Sequence, residues 1–152
     1  MLTEAHGFFT RRDALELGYD DVSLTSGVRQ RLMVRFRRGA YCFADLWASY
    51  DEATRHLVRC RAVLRSLGEG FALSHVSAAL AHGVTVWGHD LGRVHVTRLD
   101  GRSSRTEGDV VFHCGRLSEA DVVEVSGVRA TVPDRAAVET ATLGDGERAL
   151  VV

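Results

Sequence analysis

The stretch Met33-Val-Arg-Phe-Arg-Arg-Gly-Ala-Tyr-Cys-Phe43 constrains this chain more than any other. Apolar residues alternate with arginines before Arg38-Gly39 and with small residues after it. A period of two belongs to a half-buried β-strand. A glycine-containing pair between two such runs reads as a two-residue hairpin loop. With Arg38 and Gly39 as the loop, Phe36 lies opposite Tyr41 and Val34 opposite Phe43, so all four share one apolar face. Arg35 and Arg37 then share the other face with Ala40 and Cys42. The expected hairpin buries aromatics and displays guanidinium groups.

Two short helices precede it. Thr10 is suited to cap a helix over Arg11–Leu17, with Asp13 as the capping-box acid, and Gly18 to end it. Asp20 or Asp21 caps the next helix, which runs to about Arg31 with Val22, Val28 and Leu32 expected to face inward. Gly27 weakens that helix by roughly 1 kcal/mol relative to alanine. Two helices joined at Gly18-Tyr19-Asp20 and followed by a basic hairpin make a winged helix-turn-helix, whose second helix enters the major groove of DNA.

Charge points the same way. The formal net charge is only -1, yet from Val22 to Ala44 no residue is acidic, while Arg29, Arg31, Arg35, Arg37 and Arg38 all fall there. A locally basic segment on a neutral chain suggests an anionic partner at one place. The expected DNA-binding residues are Ser23, Thr25, Ser26, Arg29, Gln30 and Arg31 from the second helix and its end, reaching base edges or phosphates. Arg35, Arg37 and Arg38 supply wing contacts, and Arg11 and Arg12 clamp the flanking backbone. Asp20 and Asp21 count against this reading, because negative charge at that helix's start repels phosphate. The plainer alternative is a solvated hairpin whose arginines only keep it soluble.

Further along, Trp47 to Tyr50 reads as a connector and Asp51–Leu67 as an amphipathic helix stopped by Gly68. Ser74 is suited to cap a helix from His75 to His82, stopped by Gly83. Arg93–Leu99 and Val110–Cys114 read as strands around a polar loop at Asp100–Gly108. Asp121–Val125 and Val128–Val132 read as a hairpin across Ser126-Gly127, and Pro133 opens a helix over Asp134–Ala141. After a turn at Gly144–Gly146, a further helix begins at Glu147. The expected fold class is α+β: an N-terminal winged helix-turn-helix over residues 1–46, then a mixed helix-and-antiparallel-sheet domain over 51–152. That second domain reads as incomplete at its C-terminal end, and only Met1–His6 precede the first helix. No apolar run approaches the roughly 18 residues of a membrane span, and no signal-peptide pattern is present, so a cytoplasmic location is expected.

The side chains that carry catalysis or bind metal are scattered. Cys42, Cys60 and Cys114 are far apart with no CxxC pair, against a zinc site or a disulfide framework. Seven histidines include His75 and His82 on one helix face and His95 and His113 on neighbouring strands, without HExxH or close-spaced ligands. His75 and His82 read as hydrogen-bonded within a half-buried interface, on a helix capped by Ser74. Ser74 and His75 are adjacent, so on a helix they point apart, and no nucleophile elbow is present. Asp109 with Glu119 or Asp121 lacks the lysine of a common nuclease centre, since every one of the 19 basic residues is arginine. The chain is expected to be no enzyme, with no cofactor and no metal.

The segments Gly7-Phe-Phe-Thr-Arg-Arg-Asp-Ala-Leu-x-x-Gly18 and Val34-Arg-Phe-Arg-Arg-Gly-Ala-Tyr41 resemble the N-terminal winged-helix domain of AbiEi-type antitoxins of type IV toxin–antitoxin systems. Leu73-Ser-His-Val-Ser-Ala-Ala-Leu-Ala-His-Gly83, Trp87-Gly88, Val94-His-Val-Thr97 and Val132-Pro-x-Arg135 resemble the second domain of actinobacterial members. The resemblance implies a transcriptional regulator that binds double-stranded DNA at its own promoter, with a nucleotidyltransferase-like toxin as functional partner. Two alternatives stay open. One is a protein- or RNA-interaction module acting through Arg55, Arg59, Arg98, Arg102 and Arg105 of the second domain. The other is the non-catalytic N-terminal part of a very-short-patch-repair-like endonuclease.

Overall fold

The computed structural model describes residues 6–101 and 104–143. The protein is a mixed α+β chain that divides into two compact units, residues 1–62 and 63–152. The expected turn at Gly144–Gly146, the helix from Glu147, the residues Met1–Ala5 and Arg102 lie outside the described residues.

The first unit holds β1 (Phe9–Thr10), α1 (Arg11–Glu16), α2 (Asp21–Arg29), β2 (Met33–Arg37), β3 (Ala40–Phe43), α3 (Ala44–Ser49) and the start of α4 (Glu52–Leu67). The cap of α1 is reciprocal. Thr10 Oγ1 accepts from the Asp13 backbone N–H at 3.2 Å, and Asp13 Oδ2 accepts from the Thr10 N–H at 2.8 Å. Asp20 caps α2, its Oδ1 accepting from the Ser23 N–H at 2.7 Å. Both helix starts therefore form as their sequences expect.

The hairpin departs from the expected register. Arg37 does pair with Ala40, but Arg35 pairs with Tyr41, Val34 with Cys42 and Met33 with Phe43. Phe36 is the extra residue of a bulge, which leaves one strand a residue longer than its partner. Tyr41 therefore faces Arg35 and not Phe36. Nor does the sheet, ordered β1-β3-β2, have one apolar and one basic face. Tyr41 packs with Phe9, Ala14 and Leu24, joined by Val28 and Met33. Its strand neighbour Ala40 packs with Phe8, Val58 and Ala62, joined by Phe36, Trp47 and Tyr50. Adjacent residues of a strand point to opposite faces, so β3 is buried on both. Ala44–Ser49 is accordingly a helix, which takes in Trp47–Ser49 of the connector expected over Trp47–Tyr50, and Trp47 covers Phe36, whose ring it stacks on at 4.8 Å.

Gly27 finds its reason here. It is buried in α2, and a Cβ at its position would meet Met33 Cε at 2.8 Å and Sδ at 3.0 Å. The helix gives up propensity to make room for the Met33 side chain of β2. Leu24 and Val28 (one turn apart) are the inward residues of α2 beside Gly27. Val22 and Leu32, expected inside, are 75% and 61% exposed.

The second unit holds the end of α4, β4 (Phe71–Leu73), α5 (His75–Ala81), β5 (Val94–Arg98), β6 (Arg105–Glu107), β7 (Val110–His113), β8 (Val122–Val125), β9 (Val128–Thr131) and α6 (Pro133–Ala141). Its six strands run in the order β6-β7-β5-β4-β9-β8. The sheet is mixed rather than antiparallel, because β5 pairs with β7 and β4 with β9 in parallel. The hairpin of β8 and β9 turns at Ser126 and Gly127, both at positive φ, as a two-residue loop requires. Register places Leu73, Val96 and Phe112 on one buried face. His95, Thr97 and His113 occupy the other, where the His95 N–H donates to Ser77 of α5 at 2.9 Å. Strands β4 and β6 fall where none was expected. Among the described residues, no helix is long and apolar enough to cross a membrane.

Candidate nucleic-acid interface

The outward side of α2 is a shallow concavity of about 680 Å³ lined by Asp21, Val22, Thr25, Ser26, Arg29 and Gln30. Four of the expected contact residues (Thr25, Ser26, Arg29 and Gln30) therefore share one surface. Ser23 does not. It lines a separate apolar groove of about 300 Å³ with Tyr19, Leu32, Met33 and Phe43, and its hydroxyl donates to Asp20 at 2.6 Å.

Most polar groups on this surface already have partners. Thr25 Oγ1 donates to the Asp21 carbonyl at 2.8 Å, one turn back. The Gln30 side-chain amide donates to Ser26 Oγ at 2.8 Å. Arg11 grips Asp21 with two bonds, Nε to Oδ1 and a terminal nitrogen to Oδ2, each 2.6 Å. That grip holds the Asp21 carboxyl below the usual carboxylate range. Asp20 is likewise held low, by the hydroxyl and backbone N–H of Ser23. The two carboxylates that opposed DNA binding are thus one ion-paired and one spent on the helix cap. Arg11 neutralises Asp21 and so is not left over for a phosphate. Arg12 pairs with Glu16 at 2.8 Å on the exposed side of α1.

The remaining expected arginines separate into two kinds. Arg29, Arg31, Arg35 and Arg38 are exposed and make no ion pair among the described residues, whereas Arg37 is half-buried. Arg31 is also strained. It follows α2 at φ 59°, with its N–H on the Val28 carbonyl at 3.1 Å and the Leu32 N–H on the Gly27 carbonyl at 2.9 Å. This is a Schellman closure with arginine in the left-handed position that glycine favours.

Sequence reasoning missed Val22 as a surface residue. The available signal was the pairing of Leu24 with Val28 at a spacing of four, which turns Val22 outward.

In the second unit the structure brings together His75, His95 and His113. His75 stacks on His113 with ring centres 3.6 Å apart, and His95 Nδ1 meets His113 Nε2 at 2.9 Å. Ser74 does not cap α5 with its side chain. Its hydroxyl lies 3.0 Å from His75 Nδ1, so these neighbours do meet, because His75 sits at φ 51°. Ser74 is fully enclosed. His82 Nε2 bonds the Thr131 carbonyl at 2.8 Å. Burial, then His113 and Arg135, push His75 down to about 3, and burial also lowers His113. His75 Nδ1 lies 3.8 Å from Glu139, but a neutral ring makes no ion pair. Glu139 instead pairs with Arg135 at 2.8 Å and accepts from the His75 backbone N–H at 3.2 Å. Among the described residues, no group of three or more His, Cys, Asp or Glu side chains is placed to hold a metal ion.

Arg55, Arg59, Arg98 and Arg105, the described arginines of the alternative interaction surface, are each engaged within their own unit. Arg98 pairs with Asp100 at 2.7 Å and lies over Phe71, and Arg105 pairs with Glu107 at 3.2 Å and lies over Phe112. Arg55 and Arg59 both lie over Trp47. No family model matches this chain, and no curated protein matches it.

Proposed function

We propose that the first unit is a winged helix-turn-helix that binds double-stranded DNA, and that the chain is a transcriptional regulator and not an enzyme. In this reading α1 and α2 are the helix-turn-helix, and β2 and β3 are the wing. One observation carries it: four exposed arginines that make no ion pair among the described residues border α2 and the wing, while the nearby Asp21 is neutralised by Arg11. Arg29 and Gln30 would contact bases or adjacent phosphates, Arg31 the backbone beyond the helix end, and Arg35 and Arg38 the backbone beside the wing. The most direct regulatory consequence is occupancy of a promoter. The resemblance to AbiEi-type antitoxins makes the chain's own promoter the first DNA to test and a nucleotidyltransferase-like toxin the functional partner.

The test is duplex binding by the full chain across a salt series. Each phosphate neutralised contributes about 0.9 to the slope of log K against log salt. Four arginines give a slope of about -3.6, or a loss of roughly a hundredfold between 50 and 200 mM salt. Binding that is absent, or indifferent to salt, rejects the proposal.

A further inference from the structure

The N-terminal half of α2 offers almost nothing with which to hydrogen-bond a base. The Ser23 hydroxyl is committed to Asp20 and the Thr25 hydroxyl to the Asp21 carbonyl. Both Asp21 oxygens, which could otherwise accept from a cytosine amino group, are held by Arg11. Donors remain toward the other end of the shared concavity, at Arg29, at the Ser26 hydroxyl and at the second amide hydrogen of Gln30, whose first is spent on Ser26.

What this half does present is methyl groups. Val22 is 75% exposed, so core packing does not account for an apolar side chain there. Thr25, with its hydroxyl turned back to the helix, leaves its methyl as the outward group. Residues three apart on a helix have Cβ atoms about 5–6 Å from one another. Val22 and Thr25 thus form one small apolar patch in a concavity whose other lining residues are Asp21, Ser26, Arg29 and Gln30. The pyrimidine 5-methyl is the apolar group on a base edge in the major groove.

Resting on the DNA-binding reading above, we infer that Val22 and Thr25 read a pyrimidine 5-methyl group, carried by thymine or by 5-methylcytosine. They are the specificity-determining residues at that step, and Arg29 and Gln30 act farther along the groove. The exposed arginines supply affinity, and the methyl patch supplies selection.

The experiment starts from a random duplex library enriched on the full chain and amplified with thymidine. Each thymidine of the enriched site is then replaced singly by deoxyuridine, which removes only the methyl. One buried methyl corresponds to about a three- to fivefold loss of affinity, and that loss is expected at one or two adjacent positions. Val22→Ala and Thr25→Ser, both at exposed positions, should bring the thymidine-to-deoxyuridine ratio there close to one. Replacing each cytosine by 5-methylcytosine separates the two sources, because a gain at one cytosine with no loss at any thymidine assigns the patch to methylcytosine. If an enriched site binds equally well with every methyl removed or added, the inference is overturned while DNA binding stands. If no duplex is enriched, the DNA reading fails and the inference fails with it.

Discussion

Acidification should weaken the second unit through His75. The ring is buried, stacked on His113 at 3.6 Å, and held neutral down to about pH 3. Arg135 and His113 face it from α6 and β7, and Glu139, the nearest anion, is occupied by Arg135. In the unfolded chain the same ring takes a proton near its ordinary value of about 6.5. Between these two values the unfolded state binds one proton more, so stability rises with pH. The contribution is intact above about 6.5 and is lost as pH falls toward 3. At about 1.4 kcal/mol per pH unit, moving from pH 7.5 to 5.0 costs roughly 2 kcal/mol through this ring. Urea unfolding followed by circular dichroism, with wild type and His75→Gln at both pH values, isolates the term. The variant should start less stable but lose about 2 kcal/mol less over that interval. Equal losses in the two proteins, or an imidazole resonance of His75 that titrates above pH 5.5 in the folded chain, would show that His75 is not the source of the acid sensitivity.

Three further perturbations follow from the first unit. Gly27→Ala should not yield the roughly 1 kcal/mol that helix propensity offers. Its Cβ would meet Met33, and a double-mutant cycle with Met33→Ala should show coupling of about 1 kcal/mol. Arg31→Gly relieves a left-handed arginine, so it should raise the unfolding free energy by about 1 kcal/mol while making the DNA salt slope shallower by about 0.9. Arg11→Ala exposes the Asp21 carboxylate at the start of α2, and filter binding at low salt should show weaker DNA affinity. In that variant Asp21→Asn should restore part of the loss, and no restoration would argue against charge neutralisation as the role of Arg11.

Signals confined to a few neighbouring residues were readable from the sequence. The Thr10–Asp13 capping box, the Asp20 cap, the Ser126-Gly127 hairpin and the Pro133 helix start all formed where local chemistry put them. What escaped depends on partners distant in sequence. The bulge at Phe36 answers to packing from both sides of β3, which alternation in one strand cannot report. Strand β6 is Arg-Thr-Glu, with no apolar residue, and exists through its backbone pairing to β7. The parallel pairs join strands separated by intervening elements. The basic cluster was visible as composition. Its division into used and unused arginines was not, because Arg11 and Asp21 are ten residues apart and the burial that separates Arg37 from Arg35 and Arg38 is set by the folded hairpin.

In the proposed complex, exposed arginines of the first unit meet DNA phosphates. The most direct measurement compares wild type with Arg35→Ala/Arg38→Ala on duplex DNA from upstream of the gene, from 50 to 200 mM salt. Loss of two phosphate contacts should reduce the slope of log K against log salt by about 1.8 and weaken binding most at the lowest salt. A double variant with the wild-type slope and affinity would contradict the account.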